Sequence, residues 1–473
     1  MAPVQIIGLD GGTKVCESDA VEGLRSQLRG DLVQAGDPGY DDARTIWNAM
    51  IDRKPALIAR CRGAADVQRT VAFARDNSLL LAVRGGGHNI AGSAVCDGGF
   101  MIDLTQMRDV RVDPGARRAY VGGGATLGDF DHEAQAFGLA TPLGINSTTG
   151  VAGLTLGGGF GRLSRKYGLS VDNLVSADVV TADGKLLRAS ETENSDLFWG
   201  IRGGGGNFGV VTHFEFQLHS VGPEVLSGLI VFPFDEAQTV LRKYGDFIHS
   251  MPDDLNIWVV MRKAPPLPFL PESVHGEEVV ILALFYAGDP EEGKRVIEPV
   301  FSFGTPVGQH VGVQPYTAWE QAFDPLLTPG ARNYWKTHNF ARLEDDAIRT
   351  AIDHVGKLPS PHCEIFFGLV GGQASRIPVD ATAWAHREAL LIMNVHGRWE
   401  TAAEDERCIA WARGVYEAME PYATGGAYVN FLTQEESGRV ANAYGANHQR
   451  LVALKKKYDP GNLFRMNQNI RPG

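Results

Sequence analysis

Residues Val83–Gly92 read VRGGGHNIAG and place an arginine, three consecutive glycines and a histidine on one short segment. Because glycine has no Cβ atom, three in a row let a backbone turn approach a ligand closely with its amides pointing inward. Arg84 adds a forked cation suited to phosphate, and His88 adds a nucleophilic imidazole. The segment predicts a phosphate-binding loop. Considered without the rest of the chain, it could equally be an ordinary glycine-rich turn.

The residues before this loop predict an α/β unit. Pro55–Arg60 is typical of a strand, Ala64–Asn77 has the apolar spacing of an amphipathic helix, and Leu79–Val83 is a second strand. Loops at strand ends are where α/β proteins bind ligands. Residues 1–50 are expected to form a helical lead-in, with a helix over Ala20–Leu32.

Two further glycine-rich stretches follow, at Thr148–Gly161 and Ile201–Phe216. Three such clusters predict one long ligand contacted repeatedly, and a dinucleotide is the natural choice. None is a GxGxxG motif opening a helix, so a standard NAD-binding fold fits poorly. The elements predicted between the clusters are a helix at Thr126–Phe137 with Thr126 as N-cap, and strands at Met101–Leu104, Arg118–Val121, Leu174–Thr181 and Leu186–Ala189.

The pattern changes after about residue 218, where the glycine clusters stop and alternating strands appear. This predicts an antiparallel sheet with helices on one face. The predicted strands are Val225–Phe232, Asn256–Arg262, Glu278–Tyr286 and Cys363–Val370, and the predicted helices are Asp235–Ser250, Pro290–Phe301 and, in the last part of the chain, Asn442–Tyr458.

Length and composition limit the function class. At 473 residues the chain predicts two or three domains. A net charge of −12 argues against nucleic acid or an anionic membrane as the partner. The N-terminal residues do not resemble a secretory signal, and no apolar run reaches the length of about 20 residues that a membrane span needs. Five scattered cysteines without a CxxC pair suggest free thiols, no metal site and a cytoplasmic protein.

Four motifs in order resemble the berberine bridge enzyme-like oxidoreductases of the vanillyl-alcohol oxidase and p-cresol methylhydroxylase (PCMH) superfamily. They are VRGGGHNIAG, TTGVAGLTLGGGFGRLSRKYGLSVDN, SDLFWGIRGGGGNFGVVTHFEF and KKKYDPGNLFRMNQNI. The resemblance covers roughly residues 40–220 and 425–473 strongly and the middle of the chain weakly. In its motifs the chain is most similar to the singly attached bacterial hydroxynicotine oxidase-like branch.

The resemblance implies an α+β fold with an FAD cofactor. A PCMH-type FAD-binding domain of two α/β subdomains would span residues 1–217, with its core at about 53–217. A substrate-binding domain with an antiparallel sheet covered by helices would span residues 218–424. Residues 425–473 would return to the FAD domain. The implied activity is that of an FAD-dependent oxidase or dehydrogenase acting on a small alcohol, amine, sugar or secondary-metabolite carbon.

The resemblance also implies how FAD is held. His88 matches the histidine that bonds the flavin 8α-methyl carbon. Asn146 stands where many members have a second linking cysteine, so a single attachment is expected, and Thr149 matches a position near the site of oxygen reaction. The implied FAD contacts are Arg84, Gly85, Gly86, Gly87, His88, Asn89, Gly92, Asn146, Thr148, Thr149, Gly150, Ala152, Gly153, Gly157, Asp172, Asn173, Gly205, Asn207, Gly209, Val211, Asn467 and Asn469.

Oxidation of a substrate carbon needs a proton acceptor beside the flavin. Tyr428 lies in a segment that resembles the family's YxNY stretch, although Phe431 replaces its second tyrosine. Glu364 lies on an apolar strand, where a carboxyl group would have a raised pKa, with a solvent-facing side chain as the alternative. Lys336 and Tyr334 are further candidates.

Two other functions remain open from the sequence. One is a degenerate flavin-binding relative without redox turnover, which only Phe431 favours. The other is an NADPH-dependent reductase of the UDP-N-acetylenolpyruvoylglucosamine type, which His88 argues against because that group lacks the attachment histidine. The expected partners are a small-molecule substrate and oxygen or another electron acceptor, and the expected assembly is a monomer or homodimer.

Overall fold

The computed structural model describes residues 3–473. The strands up to residue 220 are β1 (Val4–Ile7), β2 (Thr13–Cys16), β3 (Asp31–Val33), β4 (Leu57–Arg60), β5 (Leu81–Arg84), β6 (Phe100–Asp103), β7 (Val110–Asp113), β8 (Arg118–Gly122), β9 (Leu139–Ala140), β10 (Leu174–Val180), β11 (Leu186–Ser190), β12 (Val210–Gln217) and β13 (His219–Ser220). The later strands are β14 (Glu224–Pro233), β15 (Leu255–Lys263), β16 (Glu278–Tyr286), β17 (Gly308–Pro315), β18 (Arg332–Phe340), β19 (Glu364–Leu369) and β20 (Leu391–Trp399).

The α-helices lie mostly between these strands. They are α1 (Ser18–Gln27), α2 (Tyr40–Arg44), α3 (Ala64–Asp76), α4 (Leu127–Gln135), α5 (Val151–Leu156), α6 (Ser164–Tyr167), α7 (Ser195–Ile201), α8 (Ala237–Phe247), α9 (Pro290–Ile297), α10 (Tyr316–Glu320), α11 (Asp345–Val355), α12 (Gln373–Arg376), α13 (Asp405–Met419), α14 (Val440–Tyr444) and α15 (His448–Tyr458).

The first glycine loop extends from a small mixed sheet, whose strand order is β3-β4-β6-β5. Strands β4 and β5 both pair in parallel with β6, and α3 connects them, so this is the predicted strand–helix–strand unit. The loop begins where β5 ends, at Arg84.

A second sheet of order β11-β10-β12-β8-β7 is antiparallel. Helix α4 follows β8 in the chain and begins with the predicted N-cap. The Thr126 hydroxyl accepts a hydrogen bond from the Asp129 amide, and the Asp129 carboxylate accepts one from the Thr126 amide. This capping box pairs two backbone amides that a helix start otherwise leaves free.

The third sheet is antiparallel, with the order β17-β14-β16-β15-β19-β20-β18. Alternate residues of its strands, such as Val259, Ile365 and Val395, pack in one core with α8, α11 and α13. The other face carries polar and aromatic side chains and looks toward the glycine loops. The predicted α+β class, with an antiparallel sheet covered by helices, is confirmed.

Several element predictions are wrong. The segment before Ser18 forms the hairpin β1–β2 instead of a helical lead-in, because Gly11 takes a φ of 81° in the turn between the strands. Residues 1 and 2 of that prediction lie outside the described residues. The helix predicted to reach Leu32 ends at Gln27, and β3 follows. The final predicted helix is interrupted between α14 and α15 at Gly445, which has a φ of 50°.

Within residues 3–473, no helix is both long and apolar enough to cross a membrane.

Candidate active site

A cavity of about 400 Å³ lies where the three sheets approach one another. One end is lined by backbone of the three glycine stretches and by the C-terminal tail. The other end is lined by the polar and aromatic face of the seven-stranded sheet. A mostly apolar cavity with a few polar groups is the usual form of a small-molecule site.

The first two glycine stretches are in direct backbone contact. A Cβ atom built on Gly86 would lie 2.3 Å from the Gly150 nitrogen, and one built on Gly150 would lie 2.4 Å from the Gly86 nitrogen. Both distances are too short for any side chain, so glycine is required at both positions. The contact joins the loop of the first sheet to the start of α5.

The structure brings most of the expected FAD contacts to this cavity. The lining includes Gly85, Gly86, Gly87, His88, Asn89, Asn146, Thr149, Gly150, Ala152, Gly153, Gly205, Gly209, Val211 and Asn467. Arg84, Gly92, Thr148, Gly157, Asp172, Asn173, Asn207 and Asn469 are absent from the lining.

Arg84 turns away from the glycine loop. Its guanidinium donates to the backbone oxygen atoms of Asp42 and Ala43, beside α2. Burial lowers its pKa. This side chain therefore ties the residues of α2 to β5, and its contact with a phosphate stays a prediction.

Asp172 and Asn173 are occupied within the protein. The Asp172 carboxylate accepts two hydrogen bonds from Arg387, at 2.8 and 2.7 Å, and both side chains are buried. The Asn173 amide donates to the backbone oxygen atoms of Tyr167 and Leu169. These contacts stabilise the segment after α6, and the expected cofactor contacts of both residues stay predictions.

Packing or a hydrogen bond accounts for three of the remaining absent residues, Gly92, Gly157 and Asn207. Gly92 and Gly157 leave no room for a side chain, because an added Cβ would lie 2.8 Å from Ile51 and 2.2 Å from Asn430. Asn207 anchors the tail instead, since its Oδ1 accepts from the Ile470 amide at 2.9 Å. The Asn469 Oδ1 is buried without a hydrogen-bond partner.

Thr148 lies just behind the cavity and contacts the histidine of the first loop. Its Oγ1 is 2.9 Å from the His88 Nε2 and 2.6 Å from the Asn146 Oδ1. The Trp47 ring stacks on the His88 ring, with 5.1 Å between centroids and 20° between planes. Burial lowers the pKa of His88 to about 4, so its imidazole is neutral at pH 7.

The lining fits the FAD that the motifs imply. A Cβ built on Gly153 or Gly206 would meet no protein atom within 4 Å, so these backbones border open space. The Asn467 Oδ1 is buried without a partner beside this space. Buried polar atoms are normally hydrogen-bonded, so this orphaned acceptor is what a bound polar ligand would satisfy. Glycine amides suit a pyrophosphate in the same place.

Tyr428 reaches the cavity as predicted from its motif. Its Oη accepts hydrogen bonds from the Gly159 amide at 3.2 Å and from the Asn430 side-chain amide at 3.0 Å. Both contacts use the oxygen as acceptor, so the hydroxyl proton is left to donate. Burial raises the pKa of Tyr428 to about 12, so the hydroxyl is neutral at pH 7.

Glu364 also lines the cavity, but the expectation of a raised pKa is wrong. Burial alone would raise it, yet Arg262 and His396 outweigh burial and hold the pKa of Glu364 at about 2. The Arg262 guanidinium donates to Glu364 at 2.7 Å, and the His396 Nδ1 lies 3.1 Å from the other carboxylate oxygen. The side chain is buried, so the solvent-facing alternative is wrong as well.

Lys336 is not brought to the cavity. Strand β18 alternates, so Trp335 lines the cavity while Tyr334 and Lys336 lie on the opposite face. The Lys336 ammonium donates to Glu435 at 2.8 Å, and the Tyr334 hydroxyl also donates to Glu435. Both side chains belong to an ion-pair network under α13.

Sequence reasoning missed much of the cavity's second end. The missed lining residues share one face of β15, β18, β19 and β20, and β18 and β20 were not predicted. They are Asn256, Trp258, Val260, Arg262, Trp335, Phe366, Asn394 and His396. The Trp258 and Phe366 rings stack with 5.7 Å between centroids. The signal available was strand alternation, because every second residue from Asn256 to Arg262 and from Glu364 to Phe366 faces the cavity.

Comparisons with known proteins show the family to which this chain belongs. Residues 55–190 match the family described as FAD binding domain, and residues 427–471 match the family described as Berberine and berberine like. The first match holds the first glycine loop and the whole second stretch, and the second match holds Tyr428 and Asn467.

Whole-chain relatives are similar over nearly their full lengths. (R)-6-hydroxynicotine oxidase of Paenarthrobacter nicotinovorans is 32% identical, over 94% of this chain and 97% of that protein. An FAD-linked oxidoreductase of Dictyostelium discoideum is 31% identical, over 98% of this chain and 99% of that protein.

Solved structures agree as well. The crystal structure of 6-hydroxy-D-nicotine oxidase from Arthrobacter nicotinovorans superposes with a TM-score of 0.84 at 31% identity, covering 94% of this chain and 98% of that chain. A chitooligosaccharide oxidase superposes with a TM-score of 0.84 at 25% identity, covering 96% of this chain and 99% of that chain. The resemblance inferred from the motifs is confirmed. This chain therefore belongs to the FAD-linked, berberine bridge enzyme-like oxidoreductases, and it is an enzyme of that family.

Proposed function

We propose that this enzyme removes a hydride from a carbon of a small alcohol, amine, sugar or secondary metabolite and transfers it to flavin N5. Bound FAD supplies the hydride acceptor. Oxygen or another acceptor then takes the electrons. The observation that carries the proposal is the lining of one cavity, which brings glycine backbone together with Tyr428 and Glu364.

We infer that His88 holds the flavin covalently and that no cysteine adds a second link. His88 lies on the glycine loop and lines the cavity. The five cysteines are all buried, none lines the cavity, and position 146 is asparagine. Covalent attachment would keep the flavin in place through repeated turnovers.

Tyr428 is assigned the positioning of the substrate's reacting oxygen or nitrogen. Its hydroxyl oxygen already accepts two hydrogen bonds, so its proton is free to donate to a substrate atom. A neutral hydroxyl with a pKa of about 12 is a donor at pH 7 rather than a base.

Glu364 is assigned the acceptance of the substrate proton. Among the described residues it is the one carboxylate that lines the cavity. Its low pKa makes it a weak base, so it gains the proton only when hydride loss makes the substrate group strongly acidic. Arg262 and His396 hold the carboxylate in place for that step.

The test is anaerobic mixing of the FAD-loaded enzyme with a panel of alcohols, sugars and amines, followed at the flavin absorption band. A member of the panel that bleaches the flavin supports the proposal. Acid-precipitated wild-type protein should keep its yellow colour, whereas precipitated His88→Ala should lose it. Bleaching by NADPH, without bleaching by any member of the panel, would instead indicate a reductase.

A further inference from the structure

We propose that Asn146 and Thr148 form a hydrogen-bond relay that fixes the tautomer of His88, so that Nδ1 is the atom that bonds the flavin 8α carbon. This inference rests on the proposed covalent attachment. It assigns a positioning role to Asn146, the residue that stands at the family's cysteine position.

The first step of the argument concerns the oxygen atoms. The Asn146 Oδ1 accepts from the Thr148 amide at 2.9 Å, which identifies this atom as the oxygen of the side chain. The Thr148 Oγ1 lies 2.6 Å from the same atom. Two oxygen atoms this close need a proton between them, and only the Thr148 hydroxyl has one.

The second step concerns the histidine. Because the Thr148 proton is given to Asn146, its Oγ1 can only accept from the His88 Nε2, 2.9 Å away. A neutral imidazole carries one N–H, and here that N–H is on Nε2. Nδ1 therefore carries the lone pair, and within the described residues the one hydrogen bond of the His88 ring is made by Nε2.

The ring plane is fixed independently of the relay. The stacked Trp47 ring is itself held, because its Nε1 donates to the Leu327 oxygen at 2.8 Å. The Arg398 guanidinium lies 5.4 Å from the Trp47 ring centroid. A fixed ring plane and a fixed tautomer together determine the direction of the Nδ1 lone pair.

The attachment balances with oxygen as the oxidant. One hydrogen leaves the 8α-methyl group, one leaves the imidazole, and a bond forms between the 8α carbon and Nδ1. The two protons and two electrons reduce one oxygen molecule to hydrogen peroxide. Positive charge develops on the imidazole as Nδ1 forms its bond, and the hydrogen bond from Nε2–H to the Thr148 Oγ1 stabilises this charge until the Nε2 proton is released to solvent.

The test compares variants of the same loop. Full-length apoprotein is mixed with FAD in air, and acid-stable flavin is measured over time. Thr148→Val keeps the shape but removes the acceptor, and we expect it to slow covalent incorporation at least tenfold while reversible FAD binding is kept. Thr148→Ser should restore the wild-type rate. The matched control is Ser147→Ala, because Ser147 bonds Asp324 and not His88.

A second measurement does not depend on the attachment. In ¹⁵N-histidine-labelled apoprotein, His88 should show a protonated Nε2 and an unprotonated Nδ1, and Thr148→Val should mix the two tautomers. The relay is wrong if Thr148→Val incorporates FAD at the wild-type rate, or if His88 carries its proton on Nδ1. Wild-type protein that binds FAD without acid-stable flavin, yet shows the Nε2–H tautomer, would overturn the attachment alone.

Discussion

The Arg262 guanidinium lies 2.7 Å from the Glu364 carboxylate, and the two side chains extend from directly paired positions on β15 and β19. Glu364 is also directly paired with His396 on β20. The cavity is thus given a carboxylate whose charge is permanent near neutral pH. This pair decides which proton chemistry the site can perform.

The first prediction concerns acid stability. A carboxylate whose pKa falls from 4.5 to about 2 on folding stabilises the protein above pH 4.5, and this contribution is lost as the pH falls toward 2. The shift is worth on the order of 3 kcal/mol at pH 7, of which about 1 kcal/mol is lost by pH 4. The difference in unfolding free energy between wild type and Glu364→Gln should therefore shrink between pH 7 and pH 4, as measured by urea titration.

A matched control is Glu406→Gln, which changes an exposed residue of α13. It should alter the unfolding free energy equally at both pH values. A Glu364→Gln difference that grows on acidification would contradict the low pKa.

The second prediction concerns Tyr428. Tyr428→Phe should slow anaerobic flavin reduction at least tenfold, because a positioned donor is lost. It should also cost about 1–3 kcal/mol of stability, since the Gly159 amide loses its buried partner. Between pH 6 and 10 the wild-type rate should show no inflection from this group, whose pKa is about 12.

Tyr244→Phe separates the two effects. Tyr244 is buried on the helix side of the sheet, and its hydroxyl donates to the Ile257 oxygen. The variant should lose stability but reduce flavin at the wild-type rate. Equal rates in wild type and Tyr428→Phe would remove Tyr428 from the reaction.

The third prediction uses the open space beside Gly206. A methyl group there meets no protein atom, so Gly206→Ala should leave the stability of the apoprotein nearly unchanged. It should weaken FAD binding at least tenfold, because the methyl group occupies cofactor space. Fluorescence titration of apoprotein with FAD measures this.

Gly23→Ala is the control for the glycine replacement itself. Gly23 lies within α1, away from the cavity, and an added Cβ there also meets nothing. This variant should stabilise the protein by about 0.5–1 kcal/mol through helix propensity and leave FAD affinity unchanged. Unchanged FAD affinity in Gly206→Ala would place the cofactor elsewhere.

The fourth prediction distinguishes structure from cofactor binding at Asp172. Asp172→Ala leaves the Arg387 charge buried without its partner and should cost about 3–5 kcal/mol of unfolding free energy. FAD affinity of the folded fraction should stay at the wild-type value. In Asp345→Ala, which breaks an exposed pair with Arg242, little change is expected. A large loss of FAD affinity with normal stability would show that Asp172 contacts the cofactor.

Much of the cofactor end could be predicted from sequence, because its geometry is encoded locally. Gly86 and Gly150 approach too closely for any side chain, and such a constraint appears directly as glycine. The family resemblance then implied that the three glycine stretches contact the same ligand, FAD. The strand–helix–strand unit before His88 also follows from its apolar spacing.

The substrate end was harder because its properties come from pairing across strands. Nothing near Glu364 in the chain indicates that Arg262 and His396 will outweigh the effect of burial on its pKa. Their contacts with Glu364 depend on the register of the sheet. Strand β18 was not predicted, so the face occupied by Lys336 was unknown. The protein partners of Asp172 and Arg84 were hidden for the same reason, because Arg387 is distant in sequence from Asp172 and Arg84 donates to backbone oxygen atoms beside α2.

The tail that anchors on Asn207 has a consequence for how the holoenzyme is made. Lys455, fully buried, donates to the Asn207 and Phe464 oxygen atoms, and the Ile470 amide donates to Asn207. Asn467 and Gln468 lie between these anchors. They line the same cavity as the first glycine loop, which is more than 370 residues earlier in the chain. A nascent chain therefore lacks part of the wall of this cavity until synthesis has passed residue 468.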